Sequence, residues 1–203
     1  MNHLALKKMA IAAILLAFIF AFAFTPLGFI KIGVIDITTL MIPVAIGACV
    51  LGWKYGMFLG CMFGLVSYLQ ALWGISPFGE VLMGIDPVAT FVICFIPRIL
   101  MGLCTALLFR AVQRVDKTKF VSYIVGSISG ALFNTVFFVT AFLIFFRNAN
   151  LEAFSMDLSK MSIGAIIVAL VALNGVLEIV FCGLVGTAIA KPLSKVVDEK
   201  NKY

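Results

Sequence analysis

Residues 88–110 read VATFVICFIPRILMGLCTALLFR. A bilayer-crossing helix takes about 20 mostly apolar residues, and this run supplies them. Its one interior charge is Arg98, directly after Pro97 and near the middle of the run. A cation at that depth costs roughly 3 kcal/mol or more unless it is paired or wetted, so it marks function by default. The rest of the chain has the same character. Of its 203 residues 64% are hydrophobic and 12% charged, against roughly 45–50% and 25% in soluble domains. One aqueous core cannot hide that much apolar surface, so the surplus faces lipid.

Six segments qualify as spans, at about 7–24, 37–51, 55–73, 88–110, 120–146 and 161–190. They predict an all-α polytopic membrane protein, a six-transmembrane-helix bundle forming a single integral membrane domain over residues 1–203. The second segment is short and contains Pro43, so a kink or tilt is expected. The last two are long enough to tilt or to extend beyond the bilayer. Six spans put both termini on one side. That side collects Lys7, Lys8, Lys54, Arg110, Arg114, Lys117, Lys119, Lys191, Lys195, Lys200 and Lys202, against Lys31, Arg147 and Lys160 on the other. The positive-inside rule therefore places the N- and C-termini in the cytoplasm of a multi-pass plasma-membrane protein. Reading the N-terminus as a signal peptide ending at Ala21-Phe22-Ala23 would leave five spans and put the two basic ends on opposite faces. The outer connection 25–36 is apolar and the connection 74–87 is rich in Gly and Pro. Both are expected as loops, capping the bundle or resting in headgroups.

Of the 24 charged residues, Arg98 and Glu178 alone lie deep inside predicted helices. Asn174 precedes Glu178 by four residues, on the same helix face. Asn134 and Thr135 lie near the centre of segment five. An Arg is shaped to hold a carboxylate by two hydrogen bonds, and Asn and Glu take hydroxyls and amides. The collection points to a small-solute site. The alternative is a structural or assembly protein in which Arg98 pairs with Glu178 and the asparagines bridge helices.

Ala13, Ala17 and Ala21 form a small-residue stripe on segment one. It permits close helix approach, either within the bundle, which spacing alone favours, or to a partner membrane protein. Gly47, Gly52, Gly56, Gly60 and Gly64 indicate tight packing of segments two and three. The cysteines 49, 61, 94, 104 and 182 fall in apolar runs without CxxC spacing and read as packing residues, with no metal site expected. The basic residues cluster at helix ends, which argues against a nucleic-acid partner. No Walker A, HExxH or GxSxG sequence is present, and the one histidine is His3. No enzymatic activity and no ATP site in this chain are expected.

Several stretches, in order, carry a family resemblance. They are Ala13-xxx-Ala17, the run Thr39–Ala48 followed by Leu51-Gly52, Gly56-xxx-Gly60-xxx-Gly64, Pro97-Arg98, Asn134-Thr135 and Asn174-xxx-Glu178. The chain resembles the substrate-binding S components of energy-coupling factor (ECF) vitamin transporters, most closely the pantothenate type. Met41 stands beside Ile42-Pro43 where that type is expected to carry a His. The resemblance implies a subunit that captures a water-soluble vitamin from outside, pantothenate being favoured over riboflavin or folate. Arg98 would hold the carboxylate, with Asn134, Thr135, Asn174 and Glu178 on the amide and hydroxyls. Loop one, from Phe29 to Asp36, would help close the site. Ala13 and Ala17 would dock a transmembrane coupling protein. Two cytoplasmic ATPases would hydrolyse ATP on its behalf, so this chain itself would carry no cofactor.

Overall fold

The computed structural model describes residues 3–25, 28–32, 35–118, 120–151, 156–157 and 162–198. Helix α1 (His3–Ala23) leads into the hairpin β1–β2 (Phe29–Ile32, Ile35–Thr38), followed by α2 (Met41–Leu51) and α3 (Trp53–Leu72). Then come α4 (Pro77–Ile85), α5 (Pro87–Val115), α6 (Val121–Phe146), the short strands β3 (Asn150–Leu151) and β4 (Met156–Asp157), and α7 (Ile163–Asp198). Five stretches are long and apolar enough to cross a membrane: α1, α3, α5, α6 and residues Glu178–Val197 of α7.

The second expected span is corrected. Ile37 and Thr38 belong to β2, whose antiparallel register with β1 pairs Phe29 with Thr38 and Lys31 with Asp36. The helix starts at Met41 and has 11 residues. That is roughly 16 Å of helix, about half of a 30 Å hydrocarbon core. A helix this short survives because it never meets lipid. The five long helices close a ring, α1 to α3 to α5 to α6 to α7 and back to α1, and α2 touches all five from inside. Every residue of α2 except Val50 is buried. Pro43 falls in its first turn, where N–H groups have no intrahelical acceptor, so the proline breaks no bond there.

The connection 74–87 is also corrected, since it contains a helix. Ser76 caps α4, its hydroxyl accepting from the Gly79 N–H at 3.2 Å, with Pro77 at the first helical position. The Gly/Pro content that reads as a loop is here a helix start. Asp86 caps α5 in the same way through the N–H groups of Val88 and Ala89. At the same end of the bundle, the buried Gln70 amide donates to the Ala23 carbonyl at 2.7 Å and closes the last turn of α1.

The glycine series of α3 lies backbone to backbone on α5. A Cβ at Gly56 would sit 2.6 Å from the Gly102 carbonyl oxygen, and one at Gly64 would sit 2.7 Å from that of Cys94. One at Gly60 would collide with the Arg98 carbonyl. Four-residue spacing on both antiparallel helices keeps the two series in register. The α1 stripe behaves differently. Ile11, Ala12, Leu15 and Ile19 face the core, whereas Ala13, Ala17 and Ala21 are exposed. The within-bundle reading of that stripe is therefore wrong.

Gly60→Ala should destabilise the protein by about 1–3 kcal/mol, because backbone cannot yield to the added methyl. Gly84→Ala meets nothing within 4 Å and should be near neutral. Thermal unfolding of the two variants in detergent compares them. A second test concerns the α5–α6 turn. The Asp116 carboxylate accepts from the Thr118 hydroxyl (2.7 Å), the Ser122 N–H (2.7 Å) and the Thr118 N–H (2.9 Å). These bonds lower its pKa from 3.8 to about 2. A depressed carboxylate stabilises above its unfolded pKa and loses that effect as pH falls through the folded one. Amide exchange at Ser122, corrected for intrinsic rate, should quicken between about pH 4 and 2 in the native chain and not in Asp116→Asn.

Candidate solute-binding site

Proline has no N–H, so Pro97 leaves the Ile93 carbonyl, four residues earlier, without its helical donor. The Arg98 side chain takes that place, Nη1 donating to Ile93 O at 2.6 Å. The guanidinium is also framed by two rings, with its central carbon 5.4 Å from the centroid of Phe63 on α3 and 5.1 Å from that of Phe138 on α6. Such cation–π contacts contribute about 0.5–2 kcal/mol. Nη1 is thus engaged, while Nε is buried without a hydrogen-bond partner.

One turn before Phe138 on the same face of α6 lies Asn134, whose Oδ1 is likewise buried and unpartnered. Thr135 turns its hydroxyl back onto its own helix, donating to the Ala131 carbonyl at 3.1 Å. Depth can be read by counting residues. Arg98 is 12 residues from Arg110, Asn134 is 14 from Phe120 and Glu178 is 13 from Lys191. At 1.5 Å per residue each stands roughly 18–21 Å along its helix from that reference residue.

Glu178 is buried, and its Oε1 accepts from the Thr38 N–H at 2.9 Å. It fastens the end of the β1–β2 hairpin to α7. Among the described residues no ion pair joins Arg98 to Glu178, although they lie near enough to interact electrostatically. By this count Arg98, Asn134 and Glu178 lie at similar distances along their helices, and no direct contact joins Arg98 to Glu178 among the described residues. The side chains of Phe29, Asp36 and Asn174 lie outside the described residues. Ala13 and Ala17 lie on the outer face of α1, away from this centre.

Sequence reasoning missed Phe63, Phe138 and the Thr38 N–H. A signal for Phe138 was present in its four-residue spacing from Asn134, and one for Phe63 in its place beside Gly64 in the glycine series. Nothing in the sequence marks the Thr38 N–H. Glu178→Ala should free this hairpin end, whereas Glu178→Gln keeps an oxygen acceptor. A hydrogen bond to a charged group contributes about 1.5–3 kcal/mol. Hydrogen exchange at Thr38 should accordingly quicken by about one to two orders of magnitude in the alanine variant and clearly less in the glutamine variant.

Comparison with known proteins bears on this arrangement. The family model described as "ECF transporter, substrate-specific component" matches residues 7–190. The chain is also 28% identical, over 166 residues covering 78% of each protein, to the pantothenic acid transporter PanT of Lactococcus lactis subsp. cremoris (strain MG1363). The matched family consists of transporter binding components and not of enzymes. With five stretches among the described residues long and apolar enough to cross a membrane, the protein is a multi-pass protein of the cell membrane. The chain belongs to the substrate-specific components of ECF transporters.

Proposed function

We propose that this protein captures pantothenate from outside the cell and delivers it through a module powered by partner ATPases. The observation that carries the reading is the pair of buried, unpartnered polar atoms on neighbouring helices, Arg98 Nε and Asn134 Oδ1. One is a donor and the other an acceptor, at the same depth. A buried polar group without a partner is costly, and a solute with a carboxylate and with hydroxyl or amide N–H groups would supply both missing bonds. Pantothenate has one carboxylate, one amide and two hydroxyls. The likeness to a pantothenic acid transporter supports the same ligand.

In this reading Arg98 holds the carboxylate, while Asn134 and Asn174 take the amide and hydroxyls with Thr135 beside them. Glu178 anchors the hairpin carrying Phe29 and Asp36 over the site. The hairpin and α2 together make the second of six passes, and both termini are cytoplasmic. The whole chain then acts as one membrane domain. The exposed Ala13 and Ala17 offer a transmembrane coupling protein a flat face on α1. Two cytoplasmic ATPases supply the energy, and this chain binds no cofactor.

Two observations weigh on the alternatives. The rings of Phe63 and Phe138 are occupied by the guanidinium, which disfavours a flavin needing them for stacking. The direct Arg98–Glu178 pair on which a purely structural role would rest is absent among the described residues. Met41 is fully buried in the apolar core, so recognition falls on α5, α6 and α7.

Purified protein should be stabilised by pantothenate in a thermal-shift panel of water-soluble vitamins. Truncating one partner of a buried charge pair costs about 2–5 kcal/mol, or roughly 30- to 4,000-fold in affinity. Arg98→Ala should lose pantothenate binding on that scale by calorimetry while remaining folded. Unchanged affinity in that variant would rule out the role of Arg98. Stabilisation by riboflavin or folate instead would reassign the ligand, and stabilisation by no vitamin would favour the structural reading.

A further inference from the structure

Away from this site, a groove of about 520 Å³ runs along the outside of the bundle between α6 and α7. Ile124 and Ile128 form one wall, and Ile179, Leu184 and Ala188 the other. Gly183 is its floor, where a Cβ would come within 2.9 Å of Ile128. The one hydroxyl in the lining, on Thr187, is turned inward to the Tyr123 carbonyl at 3.4 Å, so the groove offers an apolar surface.

One end is different. Lys191 lines the groove there, its Nζ held 4.2 Å above the centroid of the Phe120 ring. It has no ion-pair partner among the described residues. Lys195 follows one turn later and is exposed. The Asp116 carboxylate, in the turn before α6, is engaged by Thr118 and Ser122. Lys191 lies 12 residues after Ile179, roughly 18 Å along the helix, close to one leaflet of a 30 Å hydrocarbon core.

We infer that this groove is a binding site for an anionic phospholipid, with one acyl chain between α6 and α7 and the phosphate on Lys191. A fixed cation at the headgroup level of an apolar slot one leaflet deep matches that molecule in charge and length. Basic pockets between membrane helices take anionic headgroups on the same principle. The inference does not rest on which vitamin the protein carries.

Native mass spectrometry of the full-length protein tests this, with equal amounts of a phosphatidylglycerol and a phosphatidylcholine carrying identical chains. The native chain should retain the phosphatidylglycerol preferentially. Lys191→Gln should reduce that retention about fivefold and leave phosphatidylcholine unchanged. Ala188→Phe, which fills the groove, should lower retention of both. Ile124→Trp serves the same purpose should Ala188→Phe fail to keep its melting temperature. Equal retention of the two lipids by the native chain would overturn the inference, as would phosphatidylglycerol retention indifferent to every variant. Retention of neither lipid, with the groove covered only in the assembled transporter, would assign it to a partner helix instead.

Discussion

The bundle rests on the absence of side chains along one face of α3. Carbonyls of α5 at Cys94, Arg98 and Gly102 occupy the space that side chains at residues 64, 60 and 56 would take. Lipid gives helices no hydrophobic reason to associate, so packing this close is what holds them together. It also sets the functional geometry. With its backbone flush on Gly60, Arg98 projects its guanidinium across the interface to Phe63, and α6 brings up Phe138 from the other side. Pro97 completes the placement by leaving a carbonyl that the guanidinium fills. A separation of α3 from α5 would therefore displace the Arg98 guanidinium as well as cost stability.

The five long helices were legible in the sequence because apolarity over 20 residues is a property of each segment alone. So was the close packing marked by the glycine spacing. What was hidden depends on neighbours. The run from Ile37 to Leu51 is apolar throughout, and apolarity does not distinguish the end of a strand from the start of a helix. In a membrane both lipid and core are apolar, so the pattern of α1 could not say which way Ala13 and Ala17 face; only the ring of helices decides that. Likewise the relation of Glu178 to Thr38 joins residues 140 apart in sequence. A side chain that looks like a ligand group by composition is committed here to holding backbone.

The half-length of α2 has a further consequence. Non-helical backbone is tolerated at membrane depth only where protein surrounds it or water reaches it, and β2 packs against α7, with Thr38 fastened to Glu178. On the proposed reading, the hairpin and the solute lie side by side beyond the end of α2. Hairpins accept insertions and deletions far more readily than packed helices do. A longer hairpin would leave less room for the solute and a shorter one more, with no helix altered. On that reading the size of the cargo would be set by a connection, and selectivity could drift between molecules of different bulk while the glycine-packed scaffold stays fixed.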